Sequence, residues 1–146
     1  MCGATYAPNV CQACIKADHI GAQTDEDVIQ AMLRCGDDDA LKLEQDVVKV
    51  LDDPNTDPTT RGTLFNINPT IHDIIQNGGV VQQQAMERNF ADAKSSISTL
   101  IMSKLGECNA ALNASGIVVP PAVFSGFFNV EADYKLSDQL MGTVKA

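Results

Sequence analysis

The sequence has few aromatic residues and no tryptophan. Aromatic residues make up 5% of its 146 residues, while 45% are hydrophobic. The core must therefore be built from Val, Ile, Leu, Met and Ala, which suits helices that pack closely together. Because one domain typically has roughly 100 to 200 residues, a chain of this length can bury a core of its own. We expect a single all-α domain over residues 1–146.

Basic residues are also few, and they form no cluster. Ten Lys and Arg against nineteen Asp and Glu give a net charge of −9. Such a surface repels both a nucleic-acid backbone and an anionic membrane. No apolar run approaches the roughly 20 residues that span a bilayer, and the N-terminus lacks the regions of a signal peptide. We therefore expect no nucleic-acid or membrane partner and, if the chain is secreted, a mature form.

Motifs for catalysis and for metal binding are missing. The chain has no P-loop, HExxH or GxSxG pattern, and its two histidines, His19 and His72, are isolated. The carboxylates cluster at helix starts and on solvated faces, as at Asp37 to Asp39, which is typical of surface charge. The sequence predicts a protein that is not an enzyme and that has no metal and no cofactor.

Cysteines are unexpectedly dense at the N-terminus. Cys2, Cys11 and Cys14 precede Cys35 and Cys108. A redox function for the CQAC motif would need a βαβ pattern, which the sequence lacks. We favour a structural disulfide in an oxidising compartment that ties down the short N-terminal segment. The odd count leaves one thiol over, either buried or intermolecular.

The first long helix is predicted to begin near Asp25, with Thr24 as its N-cap and acidic residues in its first turn. The turn cluster Asp52 to Pro58 ends this element. Between them, Gly36 to Asp39 interrupts the apolar stripe. Either one long helix has a polar, kinked stretch there, or two helices meet at Gly36.

A second helix is predicted to end at Gly78 and Gly79, a glycine pair typical of a C-terminus. Pro69 should either kink this helix or mark its start, with Asn68 as the cap. Its apolar face comprises Leu64, Ile67, Ile71 and Ile74.

The third helix has one apolar and one polar side. Its apolar stripe comprises Met86, Phe90, Ala93, Ile97, Leu100, Ile101, Leu105 and Cys108. Its polar side comprises Arg88, Asp92, Ser95, Thr99 and Ser103. We predict a loop over Ala114 to Gly126 and a final amphipathic helix from Val130 to Ala146, whose apolar residues include Val130, Tyr134 and Val144. These elements predict an antiparallel four-helix bundle, in up-down-up-down order, over residues 24–146, with residues 1–23 as an appendage.

One N-glycosylation sequon has a permitted middle residue, Asn113-Ala114-Ser115. It lies near the predicted loop. Such tripeptides are frequent by chance, so Asn113 is only a candidate for glycosylation.

The order and spacing of several features carry a family resemblance. They are the segment CGATYAPNVC, a long helix that ends in the TDP turn (Thr56 to Pro58), a helical hairpin with a cysteine at its end, and a final helix with DYKLSDQL. Together they resemble the plant pectin methylesterase inhibitor and invertase inhibitor family. Its members are secreted proteins of the cell wall or vacuole, some of them pollen allergens. They have a four-helix bundle after an N-terminal helical hairpin, and they inhibit carbohydrate-active enzymes by one-to-one binding.

The resemblance implies a cysteine pairing. Cys2 and Cys11 match the pair that staples the N-terminal hairpin, and Cys108 matches a bundle cysteine whose partner position holds Ile67 or a neighbour here. The second family disulfide is therefore expected to be missing. Cys14 and Cys35 are additional to the family pattern, and we predict that they pair, leaving Cys108 free and buried.

The resemblance also implies a partner and a surface. Invertase inhibitors of the family carry a Pro-Lys-Phe motif in a turn that reads NGGVVQQQAMERN here, which favours pectin methylesterase as the partner. The matching surface is the polar side of the third helix, with Thr70 and Asp73 nearby. We expect an extracellular, monomeric inhibitor. Invertase inhibition, binding of a small apolar ligand between the helices, and an allergen-like fold without inhibitory activity remain alternatives.

Overall fold

The described part of the chain, residues 2–18 and 21–144 of a computed structural model, contains helices and no strands. A 3-10 turn (Cys2–Ala4) precedes α1 (Pro8–Ala17), α2 (Asp25–Asp52) and α3 (Pro58–Met86). Then α4 (Phe90–Ser96), a π-helical turn (Ile97–Met102) and α5 (Ser103–Ser115) follow one another directly, before α6 (Pro121–Met141). The predicted all-α class is confirmed. None of the described helices is both long and apolar enough to cross a membrane. His19, one of the two histidines, lies outside the described residues.

Helix α2 begins where the sequence predicts. The Thr24 hydroxyl accepts a hydrogen bond from the Asp27 N–H, and the Asp27 carboxylate accepts one from the Thr24 N–H. The Gln23 N–H also donates to this carboxylate, and together with the hydrogen bonds to Thr24 it lowers the pKa of Asp27, as expected at a capping box. The helix then runs without a break to Asp52, through Gly36 to Asp39. The two-helix alternative at Gly36 is therefore wrong.

Helix α3 is longer than predicted at both ends. It begins at Pro58, where Asp57 accepts a hydrogen bond from the Thr60 N–H, so Pro69 lies inside the helix and does not start it. The helix also passes through Gly78 and Gly79 and ends at Met86, so the predicted end at the glycine pair is wrong. The helix continues through Gly78 because this residue is buried where α3 packs closely against Asp37 of α2 and Tyr134 of α6.

The predicted loop from Ala114 to Gly126 is shorter in the structure. Helix α5 continues to Ser115, and Gly116 follows in the left-handed conformation with φ of 67°, a common helix end. Helix α6 begins at Pro121, well before the predicted Val130. Proline suits this first helical position because it has no N–H to leave unpaired.

Two disulfides hold the N-terminal segment, and they have the predicted pairing. Cys2 is bonded to Cys11, and Cys14 on α1 is bonded to Cys35 on α2. The CQAC cysteines therefore do not pair with each other. Cys108 is free and buried, and burial raises the pKa of its thiol to about 11.

Successive long helices run in opposite directions. Between α2 and α3, Asp37 accepts a hydrogen bond from Gln82, whereas Glu44, further along α2, contacts His72, earlier in α3. Lys94 on α4 pairs in the same antiparallel sense with Asp138 near the end of α6. The apolar core fills the space between α2, α3, the α4–α5 segment and α6.

Close helix contacts surround Tyr134, which is fully buried on α6. A Cβ atom at Gly36 would lie 2.9 Å from Tyr134 Cε2. One at Gly78 would lie 2.6 Å from the Tyr134 hydroxyl and closer still to Asp37 Oδ1. That hydroxyl donates to Asp37 Oδ1 over 3.4 Å. Helices α2 and α3 can thus close on one aromatic ring because both positions are glycine.

We expect Gly78→Ala to lower the free energy of unfolding by about 1–3 kcal/mol, because the methyl group meets a buried, hydrogen-bonded pair. Gly79→Ala is the matched control. No heavy atom lies within 4 Å of its added Cβ, so it should raise stability by about 0.5–1 kcal/mol. Urea unfolding followed by circular dichroism measures both. Equal effects of the two changes would show that close packing does not explain Gly78.

Candidate partner-binding face

Most of the predicted partner-binding residues lie along one exposed side of the α4–α5 segment. We call this set the polar stripe, and it comprises Arg88, Asp92, Ser95, Thr99 and Ser103, all of them exposed. The members from Asp92 to Ser103 are spaced three or four residues apart, which keeps them on one side of a helix, whereas Arg88 lies in the turn before α4. From Asp92 to Ser103 the stripe extends roughly 16 Å, at 1.5 Å per residue.

The opposite side of this segment is mostly buried as predicted, although Leu100 is only half-buried. Phe90, Ala93, Ile97 and Ile101 are buried in the core, which fixes the direction in which the polar stripe faces. Met86, however, is 66% exposed. Placing it in the apolar stripe was wrong, because α3 ends at this residue and the chain turns before α4.

Arg88 is held in place at the turn before α4. Its φ of 61° lies in the left-handed region, which a residue with a side chain adopts only where other contacts offset the strain. Its guanidinium forms an ion pair with Glu26 of α2 and lies 5.8 Å from the centroid of the Phe90 ring. These contacts fix the end of the polar stripe.

The centre of the polar stripe is a π-helical turn, Ile97–Met102. The Thr99 hydroxyl donates to the Ser95 carbonyl over 2.9 Å, and Asn77 of α3 donates to the Leu100 carbonyl over 2.8 Å. A side chain from the neighbouring helix α3 thus donates a hydrogen bond to a backbone carbonyl within the irregular turn. Such turns occur frequently at functional sites.

The two predicted residues on α3 lie beside the far end of the polar stripe. Asp73 is exposed, and its carboxylate lies 4.0 Å from Lys104 Nζ, next to Ser103. Thr70 is half-buried one helical turn earlier. Because α3 and α5 run antiparallel, Thr70 lies beyond Ser103, so the structure brings Asp73 to the stripe more directly than Thr70.

The partial burial of Asp37 was not predicted. This residue was expected on a solvated acidic face, but it is half-buried and accepts a 2.5 Å hydrogen bond from Gln82 Nε2. Burial raises the pKa of Asp37, and its hydrogen bonds oppose this shift. Burial also raises the pKa of Tyr134. No local signal in GDDD distinguishes Asp37 from its neighbours.

A second buried acid, Asp133, was also missed. It is 1% exposed on α6, and its Oδ1 lies 3.5 Å from the Sγ of Cys14. Burial raises the pKa of Asp133 far above its ordinary value, and the hydrogen bonding and charge of Asp39 raise it further. Burial therefore favours the neutral, protonated form of Asp133.

The donor atoms of Cys14, Cys35 and Asp133 lie within 4.8 Å of one another. This arrangement does not fit a metal ion, because the two sulfur atoms are bonded to each other and metals bind cysteine as the thiolate.

Two surface clefts were not predicted from the sequence. One, of about 250 Å³, lies over the Cys14–Cys35 disulfide and includes Arg34 and Asp37 in its lining. The other, of about 340 Å³, lies between α5 and α6 and is largely apolar and aromatic. Ligand pockets typically measure about 300–1,000 Å³. The second cleft is therefore at the low end of that range, and it lies at the surface between two helices.

Comparison with known proteins assigns no family, because no family model and no curated protein matches the chain. The resemblance described from the sequence thus stays a hypothesis.

The buried acid predicts how stability depends on pH. Folded Asp133 keeps a proton that the unfolded chain releases above about pH 4. The folded state therefore binds more protons, and the free energy of unfolding falls as pH rises, by up to about 1.4 kcal/mol per pH unit. Asp133→Asn, which cannot ionise, should flatten this dependence between about pH 4 and pH 8.

Urea unfolding across that pH range measures the effect. Asp92→Asn is the control, because Asp92 is an exposed aspartate, and it should leave the wild-type slope unchanged. An equally steep slope in Asp133→Asn would contradict this role of Asp133.

Proposed function

We propose that the protein is a secreted inhibitor of a cell-wall carbohydrate-active enzyme, foremost pectin methylesterase, and that it covers the enzyme's cleft by one-to-one binding. The polar stripe carries this proposal. It presents the Asp92 carboxylate and three hydroxyls, in phase, on one continuous helical segment, with the Arg88 guanidinium in the turn before it. A groove that accommodates a polysaccharide is a polar surface, and a long polar helix face complements it in shape and chemistry.

The proposal includes the four-helix architecture of the pectin methylesterase inhibitor and invertase inhibitor family. In this interpretation α2, α3, the α4–α5 segment and α6 are the four helices of an antiparallel bundle, and residues 2–18 belong to the N-terminal hairpin. The Cys2–Cys11 disulfide supports it. Ile67, buried on α3, would replace the cysteine that pairs with Cys108 in the family.

Rigidity of the α4–α5 segment supports the same proposal. Lys94 donates to the Asp138 carbonyl of α6 over 2.9 Å, and Asn77 and Asp73 of α3 contact the segment near its middle. A face already held in one conformation loses little entropy on binding. Since a standard interface takes about 20–30 residues a side, the polar stripe would be its centre.

Location and partners follow from the proposal. Two disulfides are consistent with an oxidising, extracellular compartment. The protein would act there as a monomer without a catalytic function of its own. Its partner would be a protein, in contrast to the nucleic acids and membranes that its negative charge repels.

A titration of plant pectin methylesterase at mildly acidic pH tests the proposal. We expect activity to approach zero at about one equivalent of the protein. Thr99→Arg, in the middle of the polar stripe, should weaken inhibition at least about tenfold, which corresponds to about 1.4 kcal/mol. Gln45→Arg is the matched control on an exposed position of α2, and it should inhibit like the wild type.

Acid invertase, titrated in parallel, should be unaffected. Inhibition of invertase alone would favour the alternative partner. If neither enzyme responds, or if Thr99→Arg and Gln45→Arg behave alike, the proposed inhibitory face is wrong.

A further inference from the structure

The second cleft described above, between α5 and α6, contains two exposed aromatic side chains, Phe124 and Phe128. We call it the aromatic groove. It is lined by Asn109, Leu112, Asn113, Val119, Phe124, Phe127, Phe128 and Glu131. Phe124 and Phe128 are 64% and 63% exposed, and Val118 at its edge is 89% exposed. An exposed aromatic pair in a chain with so few aromatics indicates a surface that another group covers.

The groove contains the acceptor residue of the N-glycosylation sequon. Asn113 lies in the last turn of α5, two residues before the helix ends at Ser115. Its side chain is exposed and belongs to the groove lining. A sugar attached to Asn113 Nδ2 would therefore begin at the lining of the aromatic groove.

The groove has the chemistry that N-acetylglucosamine needs. The sugar ring has an apolar C–H face, which packs on the face of an aromatic ring, and Phe124 and Phe128 supply such rings one helical turn apart. Its hydroxyl and acetamide groups need hydrogen-bond partners, and Asn109 and Glu131 stand in the lining. A few polar groups around an apolar floor are typical of sites for small ligands.

We propose that Asn113 carries an N-linked glycan whose first N-acetylglucosamine residues lie over Phe124 and Phe128. In the attachment step, Nδ2 of Asn113 bonds to the sugar C1 of a polyprenyl-diphosphate-linked oligosaccharide. The diphosphate leaves with the bonding pair, and Nδ2 loses one proton. The inference requires passage through the secretory pathway, but it does not require inhibition of any enzyme.

Secretion of the full chain from insect or plant cells tests the attachment. Peptide mass spectrometry of the disulfide-bonded protein should find a hexose and N-acetylhexosamine glycan at Asn113, and Asn113→Gln should lack it. A secreted, disulfide-bonded wild-type chain that is unmodified at Asn113 would overturn the proposal.

Binding of an apolar fluorescent dye tests whether the glycan covers the groove. The glycosylated wild type should bind at least about twofold less dye than Asn113→Gln. This difference should disappear in the Phe124→Ser, Phe128→Ser background, because the rings are then gone. An unchanged difference in that background, or none in the wild-type background, would overturn the packing.

A relocated sequon is the matched control. Ala91→Thr in the Asn113→Gln chain creates the sequon at Asn89, an exposed residue roughly 35 Å away along the α4–α5 segment at 1.5 Å per residue. A glycan there should leave dye binding at the level of Asn113→Gln. Equal shielding from Asn89 would overturn the proposal, because shielding would then not depend on the groove.

The outcome is separable from the proposed inhibition. Asn113 lies ten residues beyond Ser103 in sequence, or roughly 15 Å along α5, so the Asn113→Gln chain should inhibit pectin methylesterase like the glycosylated chain. Loss of the glycan and loss of inhibition are thus independent results.

Discussion

The packing of Tyr134 against two glycines sets the distance between three helices, and the rest of the structure depends on it. The ring from α6 lies against Gly36 of α2, and its hydroxyl reaches Gly78 of α3. The same hydroxyl donates to Asp37, which also accepts from Gln82. A buried hydroxyl or carboxylate without partners would cost about 1–3 kcal/mol or more. The hydrogen bonds that Tyr134 and Gln82 donate to Asp37 avoid this cost, and the three helices can therefore approach closely. With α3 fixed, Asn77 and Asp73 position the segment that bears the polar stripe.

Local sequence signals were sufficient for part of this architecture. The all-α class, the start of α2 at Thr24 and the turn between Asp52 and Pro58 depend on nearest neighbours in the chain, and each was predicted. The Cys2–Cys11 disulfide followed from the family resemblance, whereas the pairing of Cys14 with Cys35 was a separate prediction, because both are additional to the family pattern. The end of α3 was not predictable in this way. A glycine pair after an apolar stripe marks either a helix end or a close approach, and only Tyr134, far along the chain, decides between them.

The candidate sites likewise combine features that local sequence predicts with features that depend on distant parts of the chain. The polar stripe follows from helical periodicity alone, whereas the place of Asp73 beside it requires knowing how α3 and α5 pair. The aromatic groove was missed because the consecutive prolines suggested one long loop up to Gly126. Since α6 begins at Pro121 instead, Phe124 and Phe128 share one helix face, a relation that a loop would not give them.

The buried acid Asp133 connects the N-terminal segment to the remaining helices. Its carboxyl on α6 contacts Cys14, whose disulfide joins α1 to α2, so three helices meet around a carboxyl group that is 1% exposed. An unpaired buried charge costs several kcal/mol, and the folded chain avoids that cost by keeping the carboxyl protonated. The proton held at this junction is lost most readily when the surrounding solution becomes basic. The same contact therefore stabilises the attachment of α1 best at acidic pH.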